Sequence, residues 1–178
     1  MSADTPGSVY PGWLASTERL RDGTEIHLRP VRPEDEAMLV DLAAHMSPED
    51  LRLRFFTPIR SLTHRFAARL TQIDYDREMA LVALESRTVL GIARFFADPD
   101  REKAEYAVSV RTDWHGRGVG YLLMNRLIEV ARQWGIGELV GDVLSDNRPM
   151  LAMCRELGFE IHGDPNDAAL MRVRKKLG

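Results

Sequence analysis

This chain has one cysteine, Cys154, in 178 residues, so no disulfide closes within it and its stability must come from a buried core. No apolar run approaches the ~20 residues needed to cross a bilayer, so no membrane partner is expected. The opening Met-Ser-Ala-Asp-Thr-Pro-Gly has neither the basic nor the apolar region of an export signal. A lone thiol suits a reducing compartment, and the expected setting is cytoplasmic. Positive charge is not in excess either. With 24 basic against 27 acidic residues the net charge is -3, which argues against a general nucleic-acid binder. The five histidines show no metal-ligand spacing: none forms His-Glu-x-x-His or pairs with cysteine, so no metal is expected. Repeats and low-complexity segments are also absent.

What the chain does have is a glycine turn in a telling place. Val110-Arg-Thr-Asp-Trp-His-Gly-Arg-Gly-Val-Gly120 follows an apolar strand and opens an amphipathic helix that begins with Tyr121-Leu-Leu-Met124. Gly116, Gly118 and Gly120 let a ligand approach the backbone closely. The amides after them stand at a helix N-terminus, where unpaired N–H groups and the helix dipole attract phosphate. The turn therefore reads as a pyrophosphate cradle; the bland alternative is a tight strand-to-helix connection with no ligand. A P-loop would need Lys-Ser or Lys-Thr after the glycines, and none is present. A dinucleotide fingerprint would need Gly-x-Gly-x-x-Gly near the start of a βαβ unit, whereas this Gly-x-Gly-x-Gly lies two-thirds of the way along.

The remaining pattern is one domain. Residues 1–22 form an N-terminal arm, where Pro6, Gly7, Pro11 and Gly12 discourage regular structure, and residues 23–178 form the domain proper. Alternation predicts a strand over 24–29, and helices are expected from Pro33, from Ser47 as a cap, and over 62–72. Apolar runs at 79–84 and 89–96 form a hairpin, and a strand at 103–110 feeds the glycine turn. The helix after the turn carries Val119, Leu122, Leu123, Leu127, Val130 and Ala131 on one face. A strand at 137–144, a helix from 147–149 and a last strand at 168–174 complete an α+β plan: a mixed, mostly antiparallel sheet flanked by helices.

His115-Gly-Arg-Gly118-Val-Gly120 resembles the acetyl-CoA motif [RQ]-x-x-G-x-[GA] of the GCN5-related N-acetyltransferase (GNAT) superfamily, with His115 in place of the usual Arg or Gln. Asn147-Arg-Pro-Met-Leu-Ala-Met-Cys-Arg-Glu-Leu-Gly158-Phe159 is similar to the same family's N-x-x-A-x-x-x-Y-x-x-x-G-F segment. Further blocks, among them 28–35, Arg54-Phe-Phe56, 73–82 and Ala104-Glu-Tyr-Ala107, resemble the bacterial Pat-type protein lysine acetyltransferases. In those proteins the domain often follows an acyl-CoA-synthetase-like or cyclic-nucleotide-binding region. The resemblance implies the GNAT acyl-CoA N-acyltransferase fold and acetyl-CoA as co-substrate. It implies acetyl transfer by direct attack in a ternary complex to a protein lysine, with acyl-CoA synthetases as candidate acceptors. A small-molecule amine acceptor, or a non-catalytic CoA-binding regulatory module, are the alternatives.

Transfer to an amine needs a neutral nucleophile, and a lysine amine with its reference pKa near ~10.4 must first lose a proton. Glu105 is the expected base. It lies on the strand that the resemblance runs beside the thioester, and it matches the glutamate of the Ala-Glu-(aromatic)-Ala block. The other reading of Glu105 is a solvated surface carboxylate. Alternation puts Glu105, Ala107 and Ser109 on one face, and Tyr106, Val108 and Val110 on the other. By resemblance the backbone of Val108, Ser109 and Val110 pairs with the pantetheine arm, the Val108 amide polarises the thioester carbonyl, and His115, Gly116, Arg117, Gly118, Val119 and Gly120 hold the pyrophosphate. Asn147 positions pantetheine or caps a helix. At the family's tyrosine position stands Cys154, which reads as a core residue, and the general acid is left unassigned. The arginines of Arg52-Leu-Arg54 are expected on a helix surface.

Overall fold

The structure is a computed structural model that describes residues 9–57 and 59–178. Eight strands form one sheet: β1 (Ser16–Arg19), β2 (Glu25–Pro30), β3 (Glu78–Glu85), β4 (Thr88–Ala97), β5 (Lys103–Val110), β6 (Glu138–Leu144), β7 (Glu160–Asp164) and β8 (Asp167–Lys176). Their spatial order is β1-β2-β3-β4-β5-β6-β8-β7, antiparallel throughout except for the parallel pair β5–β6. The five helices are α1 (Glu36–Ala44), α2 (Pro48–Phe55), α3 (His64–Thr71), α4 (Val119–Gln133) and α5 (Arg148–Glu156). The mixed, mostly antiparallel sheet flanked by helices is the expected architecture.

The sheet is covered on both faces at its centre, which is why β3 has no polar alternation and residues 79–84 are all buried. On one face α4 packs on β3, β4 and β5 through its buried stripe of Leu123, Leu127, Val130 and Ala131. On the other, α1 lies on β4 and α2 reaches β5. The helix starts follow from capping chemistry: the Ser47 hydroxyl accepts from the Asp50 amide at 3.0 Å, and the Thr63 hydroxyl from that of Phe66 at 3.2 Å.

Two segments depart from the sequence expectation. The arm is not irregular where it is described: residues 12–14 form a 3₁₀ turn, and β1 pairs with β2 from Ser16↔Leu28 to Arg19↔Glu25 across a turn at Asp22 and Gly23. The prolines and glycine at positions 6, 7 and 11 precede this strand, and Thr17, Glu18 and Arg19 gain their order from the neighbouring strand. Residues 1–8, the rest of the arm, lie outside the described residues. The second segment is β7, Glu160-Ile-His-Gly-Asp, which carries no apolar period and exists by pairing with β8 around Pro165 and Asn166.

Candidate active site

The parallel strands β5 and β6 pair at only three positions, Lys103↔Glu138, Ala104↔Leu139 and Glu105↔Val140. Beyond Glu105 they part. β5 stays with β4 up to Val110↔Gly91, and β6 stays with β8 up to Leu144↔Leu170. A wedge thus opens in the middle of the sheet, with Glu105 at its apex. Across the wedge lies the Tyr106 ring, so close to Gly141 on β6 that a Cβ there would meet a ring carbon at 2.6 Å.

The direction of the β5 backbone follows from its two ends. The Arg111 amide donates to the Leu90 carbonyl on the β4 side at 2.8 Å, and the Glu102 carbonyl accepts from the Glu138 amide on the β6 side at 2.9 Å. In a regular strand successive residues alternate in the neighbour that they address. Glu105, Ala107 and Ser109 therefore turn their main chain to β4, while Val108 and Val110 turn theirs into the wedge. Of the three residues expected to offer backbone to a cofactor, Ser109 turns its main chain to β4. The Val110 carbonyl is met by His115 Nε2 at 3.2 Å.

At the wide end of the wedge the chain turns through Gly116 (φ +75°) and Gly118 (φ +97°), left-handed conformations that glycine adopts without strain. The first helical bond of α4 is from the Leu122 amide to the Gly118 carbonyl, 3.0 Å. Among the described residues no amide from 116 to 121 donates to a protein group. Six free donors at the positive end of a 15-residue helix make an anion cradle. Its side chains point to the protein: His115 lies 3.3 Å from Asp50 of α2, and Arg117 bonds Asp22 at 2.7 Å while stacking on Trp114. The free groups at this turn are thus backbone amides, and His115, standing in place of Arg or Gln, ties the loop to α2.

From the cradle to Glu105 the path runs along the free edge of β5. Five residues separate Val110 from Glu105, roughly 16 Å at about 3.3 Å per residue. Glu105 is exposed and pairs across to Phe96, itself 49 % exposed. Asn147 takes the capping role: its side-chain oxygen accepts from the Met150 amide at 3.3 Å, at the start of α5. Cys154 is 1 % exposed, with its sulfur 3.1 Å from the Tyr106 hydroxyl. Burial raises the pKa of both groups, so this pair stays protonated and apolar in character. Tyr121 donates to Glu156, on α5.

Sequence reasoning missed two residues beside Glu105. Arg54, at the end of α2, is half-buried on the side of the helix that meets β5, and Arg94 is half-buried on β4. The available signal was Arg94 itself, one charge within the apolar run 89–96. Another link spans the wedge: Arg52 of α2 bonds Asp146, in the loop between β6 and α5, at 2.8 Å.

A strand edge left unpaired and leading to a backbone cradle fits a long substrate that ends in pyrophosphate, with its reactive end near Glu105. The profile of the Acetyltransferase (GNAT) family matches residues 47–159, and the chain belongs to that family. It is an acetyltransferase whose acetyl donor is acetyl-CoA, and the cradle and free β5 edge fit that donor. Over 156 residues it is 35% identical to Acetyltransferase PA5475 of Pseudomonas aeruginosa, covering 85% of this chain and 83% of that protein. Acetyltransferase Pat of Mycolicibacterium smegmatis is 32% identical over 143 residues, 79% of this chain but 43% of the relative. The crystal structure of the GNAT domain of S. lividans PAT superposes with a TM-score of 0.88 at 26% identity, covering 95% of this chain and all of that one. No described helix is long and apolar enough to cross a membrane, and no cluster of potential metal ligands occurs among the described residues.

Proposed function

We propose that this protein acetylates the side-chain amine of a lysine in another protein, by direct attack in a ternary complex, and that it works in the cytoplasm. The observation that carries the reading is the placement of Glu105: an exposed carboxylate at the apex of the wedge, beside the exposed ring of Phe96, where a bulky acceptor has access. The likeness to Pat proteins supports the choice of acceptor.

The roles follow from position. Acetyl-CoA supplies the activated thioester, whose C–S bond breaks as the amide bond forms, so that CoA departs as a thiolate protonated by solvent. Residues 116–121 hold its pyrophosphate through their amides, and Val108 and Val110 receive its pantetheine arm as a strand would be received. The Val108 amide points into the wedge and donates to the carbonyl oxygen as negative charge grows there. Glu105 takes the proton of the incoming ammonium, directly or through one water. Cys154 and Tyr106 bond each other in the core and serve no proton transfer.

The test is mass spectrometry of candidate proteins, acyl-CoA synthetases first, after incubation with acetyl-CoA. The expected result is one acetyl group on a specific lysine, with the rate reduced about 100-fold or more by Glu105→Gln while acetyl-CoA binding persists. Confirmed cofactor binding without protein acetylation would transfer the reading to a small amine acceptor or a CoA-binding regulatory module. Full activity of Glu105→Gln at all pH values would remove Glu105 as the base.

A further inference from the structure

Two half-buried arginines beside Glu105 leave most of their donors without a protein partner among the described residues. Arg94 of β4 pairs with Ala107 on β5 and Ala80 on β3, and Phe96, the next residue on that face, pairs with Glu105 and Glu78. Glu105 and Glu78 are thus diagonal neighbours of Arg94, at ~7–8 Å between backbones. Arg54 reaches the same place from the end of α2, which packs on β5, and its guanidinium feels the charges of Arg94 and Glu105. A guanidinium has five N–H donors. Arg94 uses one, to the Leu70 carbonyl at 2.9 Å. Arg54 uses none among the described residues; its guanidinium rests over the Phe55 ring at 4.7 Å.

Neither guanidinium makes an ion pair with a described carboxylate, although Glu78 and Glu105 are near. Burial, and then the Arg94 charge, pushes Arg54 down to about 10, and burial pushes Arg94 down as well. Two neighbouring cations that repel each other and keep most of their donors open to solvent present charged forks to a ligand. An anion between them relieves the repulsion and fills the planar forks. A monoanion fits better than a phosphate dianion, because Glu78 and Glu105 stand on the same face and repel added negative charge.

We propose that Arg54 and Arg94 form a carboxylate-recognition pair in the acceptor site, so that the preferred acceptor carries a carboxylate close to the amine it presents to Glu105. The proposal rests on Glu105 marking the acceptor end of the wedge, and it deepens the acetyl-transfer reading by setting acceptor preference. Two sources offer this chemistry: an Asp or Glu side chain flanking a protein lysine, or the α-carboxylate of a free amino acid. Arg54 and Arg94 act here by binding and positioning.

Calorimetric binding to the CoA-loaded protein separates these cases, using two matched pairs of probes. One pair is a lysine pentapeptide with a flanking glutamate and its glutamine counterpart; the other is L-leucine and L-leucinamide. The expected result is a preference of about tenfold or more for the carboxylate member of one pair, the size of a charge-assisted hydrogen bond. Arg54→Gln should reduce that preference below about twofold, and Arg54→Lys should retain part of it, as a charge without the fork does. The responding pair tells which source the site reads. Absence of a preference in both pairs, or its survival in a folded Arg54→Gln protein, overturns the proposal. Binding does not depend on proton removal, so this outcome is independent of the Glu105→Gln result that tests the transfer reading.

Discussion

At the residue scale, the clearest energetic commitment outside the wedge is Asp35. It is 2 % exposed and receives two hydrogen bonds from Arg29, both 2.7 Å, and one from the Arg32 amide, also 2.7 Å. Burial pushes its carboxyl pKa up, but the Arg29 bonds and the Arg32 amide outweigh burial and hold it below the ordinary value. Replacing Asp35 by Asn leaves the Arg29 charge unpaired where its side chain is only 16% exposed. We expect a loss of about 2–4 kcal/mol in urea unfolding at pH 7, somewhat below the cost of breaking a fully enclosed pair. Because the folded pKa is depressed, the contribution is complete above the unfolded value near ~3.9 and fades as pH falls through the folded one. The stability gap between wild type and Asp35→Asn should therefore be flat from pH 7 to about pH 5 and close only below about pH 4. A gap that closes near neutral pH would assign the effect to another group. Nothing in the sequence distinguishes Asp35 from its neighbours Glu34 and Glu36, since pairing with Arg29 is set by the turn that follows β2.

At the element scale, the cradle depends on one conformation. Gly118 precedes α4 at φ +97°, and a Cβ there would meet only Leu20, at an ordinary 3.8 Å. Space tolerates a side chain; the backbone angle does not. Gly118→Val would have to pay about 1–3 kcal/mol of strain or rotate the loop and turn the amides of 116–121 away. The expected outcome is a fold near wild type by circular dichroism, with acetyl-CoA affinity weakened about tenfold or more. Undiminished binding by this variant would refute the cradle. The strand, glycine turn and helix were legible in the sequence because glycine spacing, strand and helical period all bear on one short stretch. The ends of β5 and the caps Ser47 and Asn147 were legible for the same reason: each rests on local chemistry. β1 and β7 were not, because an edge strand with polar sequence owes its order to the strand next to it. The approach of Arg54 to β5 was hidden likewise, since the element that a helix end packs against is decided by packing from far along the chain.

At the scale of the whole molecule, the sheet is two sheets held at a seam. The five strands β1–β5 and the three strands β6, β8 and β7 share only the pairings at Lys103, Ala104 and Glu105, and everything beyond that seam on β5 has one free edge. No local pattern announces a seam, because residues 106–110 read as an ordinary strand; its parting from β6 is a property of the assembled sheet. The consequence is an alternation that hydrogen exchange can read residue by residue. Without acetyl-CoA, the amides of Ala107 and Ser109, bonded towards β4, should exchange slowly, and those of Val108 and Val110, facing the wedge, should exchange fast. On addition of acetyl-CoA, protection should rise about tenfold or more at Val108, Val110 and 116–121, and stay unchanged at Ala107 and Ser109. Protection at 116–121 alone would mean that the donor is held by its pyrophosphate without lying along β5, and the Val108 amide would lose its place at the carbonyl oxygen. A uniform rise across 105–110 would mean instead that the seam closes on binding, with the strands themselves supplying the new bonds.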